Sequence, residues 1–138
     1  MAYWLLKSEP QTWSWQQQYE LGKKGGCWDG VRNYQASKNM RAMKNGDLAF
    51  FYHSGRKPHV IGIVEICREY YIDPTDATQK FVAVDVRAVQ KLHNVVFLKD
   101  IKENSQLRDM ILLKQSRLSV MPVTEEEWQI ITGMAQIS

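Results

Sequence analysis

Trp28 stands between Gly26 and Gly30 and is followed closely by Arg32, Asn33 and Tyr34, so an indole, a cation and a side-chain amide share one glycine-punctuated stretch. A second group, Phe50-Phe51-Tyr52-His53-Ser54-Gly55, lies a little further on. Ordinary connecting loops are small and polar, whereas this mixture suits a flat, polar ligand. Stacking on an aromatic face holds a nucleobase by roughly 1 to 3 kcal/mol, and hydrogen bonds to its edge give identity. On those grounds Trp28 and Tyr52 are the stacking residues, and Ser8, Asn33, His53 and Ser119 address the edge. Trp13 and Trp15 can add a wall. The competing reading places Trp28 in the core, where most tryptophans are largely buried.

The charge distribution points the same way. The net charge is only +3, but residues 23 to 57 hold eight cations (Lys23, Lys24, Arg32, Lys38, Arg41, Lys44, Arg56, Lys57) against Asp29 and Asp47, a local +6, while the remainder sums to −3. A basic segment that coincides with aromatic residues fits a nucleic-acid binder, since cations meet phosphates while aromatic faces take bases. Arg32, Arg41, Lys57 and Arg117 are the candidates for flanking phosphates. The function that follows is non-enzymatic recognition of a modified, flipped-out or single-stranded base, with nucleic acid as the partner.

Other chemistries are less well supplied. Cys27, His53, His59, Cys67 and His93 are dispersed without metal-ligand spacing, so no metal is expected. Neither phosphate-loop nor dinucleotide glycine patterns occur, and no cofactor is implied. The alternative from a different class is a small hydrolase or nucleoside-processing enzyme that uses Cys27 as nucleophile with His53 as base. No triad signature surrounds that pair, and lone cysteines more often pack as small apolar groups. With no secretory signal, both cysteines are read as reduced thiols. The N-terminus has no leader pattern and no apolar run approaches membrane-spanning length, so the expectation is an intracellular protein without a membrane partner, cytoplasmic in a bacterium or nuclear in a eukaryote. A monomer is expected.

At 138 residues, with 44% apolar and 24% charged residues, the chain is expected to form one domain, residues 1–138, with a core that needs no staple. Tyr3 to Leu6 reads as a strand closed by Pro10. Ser14 and Gln17 form a capping box for a short helix to about Leu21, stopped by Gly22, Gly25 and Gly26. Asp29 is expected to bond the backbone of Gly30 and Val31 as a turn residue. Ser37 to Lys44 reads as a helix ended by Asn45-Gly46. Asp47 to His53 and Val60 to Ile66 read as a hairpin with a basic tip, and Asp73-Pro74-Thr75-Asp76 breaks the chain. Phe81 to Val89 is a third clear strand, Leu98 to Asn104 a surface helix, and Arg117 to Val123 an edge strand carrying Pro122. A capping box between Thr124 and Glu127, with a Val123–Trp128 staple, opens the last helix. Five or six strands and three or four short helices make an α+β domain on a small curled sheet or barrel.

These residues carry a resemblance. Tyr3-Trp4-Leu5-Leu6-Lys7-Ser8-Glu9-Pro10, Trp28-Asp29-Gly30-Val31-Arg32-Asn33-Tyr34-Gln35-Ala36, Gly46-Asp47 to Ser54, Asp73-Pro74-Thr75 and Arg117-Leu118-Ser119-Val120 closely resemble the EVE domain family over nearly the whole chain. The resemblance implies an α+β, PUA-like small β-barrel of five to six mostly antiparallel strands flanked by short α-helices, related to YTH domains. It also implies a role in reading modified bases, cytosine derivatives especially, in DNA or RNA. By the same resemblance Trp28, Asn33, Tyr52, His53, Ser54 and Ser119 would line the pocket, with Lys7 and Ser8 at its entrance.

Overall fold

A computed structural model of the protein describes residues 1–136. Its centre is a six-stranded sheet in the order β2-β5-β4-β3-β1-β6, formed by β1 (Tyr3–Ser8), β2 (Gly26–Trp28), β3 (Leu48–His53), β4 (His59–Ile72), β5 (Val82–Phe97) and β6 (Val120–Val123). β1 and β3 pair in parallel, and every other neighbouring pair is antiparallel. The helices are α1 (Trp15–Glu20), α2 (Tyr34–Ala42), α3 (Leu98–Glu103), α4 (Ile111–Lys114) and α5 (Glu125–Met134).

The sheet curls because its long central ribbon is irregular. β4 and β5 change register at four places, and β3 shifts against β4 between Phe51 and Tyr52. Each such bulge adds bend and twist, so the edges carrying β2 and β6 swing towards one another. α2 spans what remains open, packing against both β5 and β6. The result is an incompletely closed barrel, with its seam between β2 and the β1–β6 edge.

β3 lies at the middle of the core, and both of its faces are covered. Phe50 stacks at 3.9 Å on Trp128 of α5, which stacks in turn on Tyr3. On the opposite face Phe51 meets Trp15 and Trp28 edge-on, each at 5.5 Å. Alternation along β3 is therefore real, but it divides two apolar layers and exposes neither.

The capping boxes Ser14–Gln17 and Thr124–Glu127 both form, and Asn33 caps α2 through its side chain. α2 starts three residues earlier than the helix composition of Ser37 to Lys44 predicts, because that cap sets its first turn. β4 and β5 run well beyond the expected Val60–Ile66 and Phe81–Val89, since pairing with each other satisfies backbone groups that local apolar patterning does not announce. β2 is the clearest departure: the glycine-punctuated stretch around Trp28 carries no strand pattern, yet Gly26–Trp28 pairs with Val84–Val86. Gly62 supports the α1 contact, because a Cβ there would fall within the Trp15 ring. Gly62→Ala is expected to cost about 1 to 3 kcal/mol by overpacking, measured as a lowered midpoint of urea unfolding with an unchanged slope.

Candidate nucleic-acid interface

The indentation that the aromatic stretch itself lines sits in the barrel seam, a cavity of about 540 Å³. One wall is the end of β2 and the loop after it, Cys27 to Asn33. The facing wall is the carboxyl end of β1 and the start of the β6 segment, Lys7, Ser8 and Ser119. Glu9, Thr12 and Trp13 complete the rim. The cavity therefore gathers residues from strands at opposite ends of the sheet, as only a curled sheet can.

Six of the expected residues meet here: Lys7, Ser8, Trp28, Arg32, Asn33 and Ser119. Their polar atoms are partly committed already. Asn33 Oδ1 accepts the Ala36 amide at 2.9 Å as the α2 cap, which leaves the Nδ2 hydrogens as donors. Ser8 Oγ donates to the Trp13 carbonyl at 2.6 Å, leaving its lone pairs to accept. Lys7 Nζ donates to the Ser116 carbonyl at 2.9 Å, and burial lowers the lysine pKa. Trp28 is only 7% exposed. It is both a core residue, edge-on to Phe51, and a cavity wall.

Tyr52, His53 and Ser54 do not line this cavity, which corrects their expected place in it. Tyr52 is buried on the Phe50 face of β3, and burial pushes its hydroxyl pKa up to about 12. His53 lies under α1, where its Nε2 accepts the Trp15 amide at 3.1 Å; burial, with the neighbouring His59 charge, lowers its pKa. Ser54 donates its amide to the Ser8 carbonyl at 2.9 Å and so ties the hairpin to the rim. The physical reason is that both faces of β3 are covered, by Trp128 of α5 on the Phe50 side and by Trp15 and Trp28 on the Phe51 side. Trp13 supplies the second aromatic surface instead, its Nε1 donating to the buried Gln18 Oε1 at 2.9 Å.

The phosphate candidates separate as well. Arg32 is at the cavity, but one edge of its guanidinium is bound to Asp73 and Thr75 at 2.9 and 3.0 Å. Arg117 lines a neighbouring indentation that shares Asn33 with the cavity. Arg41 lies near the far end of α2, over the Tyr70 ring, and Lys57 on the hairpin tip; neither lines the cavity. Position along the chain alone cannot reveal that separation.

Asp73 is the group that sequence reasoning missed, read there only as part of a chain break. Its carboxylate is fully buried and accepts from the Gly30 amide, from Arg32, and from the Thr75 amide and hydroxyl, all at 2.7–2.9 Å. It, and not Asp29, bonds the Gly30 amide. Burial opposes its ionisation, but the hydrogen bonds from Thr75, Arg32 and Gly30 outweigh that and hold its pKa down to about 2.

The EVE domain family model matches residues 2–134. The chain belongs to that family. Human thymocyte nuclear protein 1 is 32% identical over 167 residues, covering 98% of this chain and 74% of that protein. A crystal structure of human THYN1 in complex with 5-methylcytosine-containing DNA superposes with a TM-score of 0.91 at 32% identity, covering 100% of this chain and 99% of that one. Rpa0253 from Rhodopseudomonas palustris, solved by NMR, is 52% identical with a TM-score of 0.92, covering 98% and 93% of the two chains. The YTH domain of Zygosaccharomyces rouxii MRB1 shares the fold at a TM-score of 0.60 and 14% identity, covering 99% and 85%. The EVE domain is thus PUA-like in architecture, as its sequence resemblance implies. Among the described residues no helix is long and apolar enough to cross a membrane.

Two outcomes follow from these geometries. A carboxylate with a depressed pKa contributes stability that is present above its unfolded value, near 4, and is lost as pH falls through about 2. Asp73→Asn is accordingly expected to be less stable than the parent by roughly 2 kcal/mol at pH 7, with the two urea-unfolding curves converging as pH approaches 2. Cys27 lines the cavity, but burial first, and then nearby carboxylates, raise its thiol pKa despite a hydrogen bond with Tyr71. Iodoacetamide should therefore modify Cys27 no faster than free glutathione at pH 7, followed by intact-mass spectrometry.

Proposed function

We propose that this EVE domain is a non-enzymatic reader that takes a modified cytosine of DNA or RNA into the seam cavity. The observation that carries the reading is the meeting of Trp28 and Trp13 with Asn33, Ser8, Ser119 and Lys7 around one open volume. Aromatic faces suit a base extruded from its stack, and the free donors and acceptors suit its edge. Asn33 Nδ2 can donate to the cytosine carbonyl or ring nitrogen, while the Ser8 lone pairs can accept from the exocyclic amine. A methyl group on the ring adds apolar contact against an indole worth about 0.8 kcal/mol. Arg32 and Arg117 flank the mouth for phosphates. The 5-methylcytosine DNA bound by the human relative supports the same ligand class.

The thiol-enzyme reading gains no support from the geometry. His53 spends Nε2 on the Trp15 amide and does not line the cavity that Cys27 lines. A raised thiol pKa also works against a nucleophile.

The test is titration of intrinsic tryptophan fluorescence with otherwise identical oligonucleotides carrying cytosine or 5-methylcytosine. Methylation is expected to tighten binding about fourfold, the equivalent of one buried methyl. Trp13→Ala, at a half-buried site beside the core and with folding checked by circular dichroism, should weaken binding by roughly 1 to 3 kcal/mol. Equal affinity for the two oligonucleotides, or no effect of Trp13→Ala, counts against the reading.

A further inference from the structure

The hairpin between β3 and β4 and the first turns of α3 form a second basic surface. Arg56 and Lys57 from the hairpin, with Lys99 and Lys102 from α3, border two adjoining indentations of about 480 and 460 Å³. The two elements are fixed relative to one another. The Leu98 amide donates to the Pro58 carbonyl at 2.9 Å, His59 pairs with Phe97 across the β4–β5 ladder, and their rings lie 5.7 Å apart. Phe97 remains 38% exposed at the floor of this trough. Asp100 and Glu103 also border it, yet among the described residues none of the four cations has a carboxylate within 4.0 Å. Unpaired, exposed cations held in a fixed arrangement complement a polyanion.

One backbone link ties the trough to the cavity rim. Ser8 on the rim accepts the Ser54 amide, and Arg56 is two residues beyond Ser54, at most about 7 Å along the chain. Successive phosphates on one strand of a duplex advance about 3.4 Å along its axis. A chain reach of that size is comparable to two such steps.

We propose that the hairpin tip and α3 form a second, sequence-blind contact that holds the nucleic-acid backbone flanking the base in the cavity. This rests on the base-reading function for its ligand, but it acts through phosphates alone. It accounts for cations of the basic stretch, Arg56 and Lys57, that the cavity does not use, and extends them with Lys99 and Lys102 from outside that stretch.

The experiment uses the full chain and its Arg56→Ala/Lys99→Ala/Lys102→Ala variant. Fluorescein-labelled duplexes of about twenty base pairs, with cytosine or 5-methylcytosine at one position, are titrated by anisotropy at salt from about 50 to 200 mM. The substitutions lie on exposed side chains, and circular dichroism confirms folding. Affinity is expected to fall by the same factor for both duplexes. The slope of log K against log salt should become shallower by about 0.9 for each phosphate contact removed, close to 3 for all three. An unchanged slope, or a loss confined to the methylated duplex, overturns the proposal. If the parent protein binds without distinguishing the two duplexes, the base-reading function fails while the slope comparison still decides this one. Absence of any binding by the parent overturns both.

Discussion

A carboxylate sealed from water holds the binding wall in shape. Asp73 gathers the Gly30 amide, the Arg32 guanidinium and both donors of Thr75, so the loop after β2 and the loop after β4 become one unit. Gly30 has a φ of +79°, a backbone conformation that a side chain would disfavour, and its amide aims at the buried oxygen. Without that anchor, Trp28 would still pack on Phe51 and Asn33 would still cap α2, but Arg32 would have no fixed direction. An ion pair alone would not justify a buried charge, because desolvation offsets the attraction. Here four hydrogen bonds satisfy the carboxylate, which is what lets it stay ionised inside.

The same constraint divides the labour of Arg32. One edge of its guanidinium serves Asp73 and Thr75, and its plane lies 5.5 Å from the Phe81 ring. Its side chain is nevertheless 40% exposed. A planar fork can do both, since five N–H donors diverge and only some are used internally. A lysine at this position would have to choose between the loop and a phosphate.

Much of the architecture was legible because local chemistry and final structure agree. Both capping boxes, the edge position of Pro122 and the alternation of Val82, Val84 and Val86 all have short-range causes, whereas α2 ends at Ala42 with Met43 already extended, short of the expected Asn45-Gly46 stop. The site was legible in its composition and less so in its assembly. Trp28, Asn33, Ser8 and Ser119 were identifiable as side chains suited to a base, and they meet in one cavity. Tyr52 and His53 looked equally suitable, but both faces of β3 are covered, by Trp128 on one side and by Trp15 and Trp28 on the other, through contacts with segments distant along the chain. Asp73 could be read as a turn former because Asp-Pro-Thr is a turn sequence; only the long-range approach of Gly30 gives it a second role. Strand β2 was hidden for a related reason: three residues with two flanking glycines carry no periodic signal, and β5 supplies the partner.

The location of the cavity follows from topology more than from any one residue. A parallel pair must be joined by a crossover, and in this chain the segment between β1 and β3 contains α1, β2 and α2. The crossover carries β2 to the opposite edge of the sheet before returning, so the chain itself places Trp28 across from Ser8. Full closure would pair β2 with the β1–β6 edge and remove both unpaired edges. The crossover instead leaves α2 lodged between them, and its capped amino end, Asn33, faces the gap. Adjacent parallel strands leave their carboxyl ends together, and connections that part there leave a crevice between them. β1 ends at Ser8 and β3 at His53, and their continuations diverge towards Trp13 and towards the hairpin tip. The seam is therefore both the unfinished part of the barrel and a place where an indole wall, free hydrogen-bonding groups and a basic margin meet.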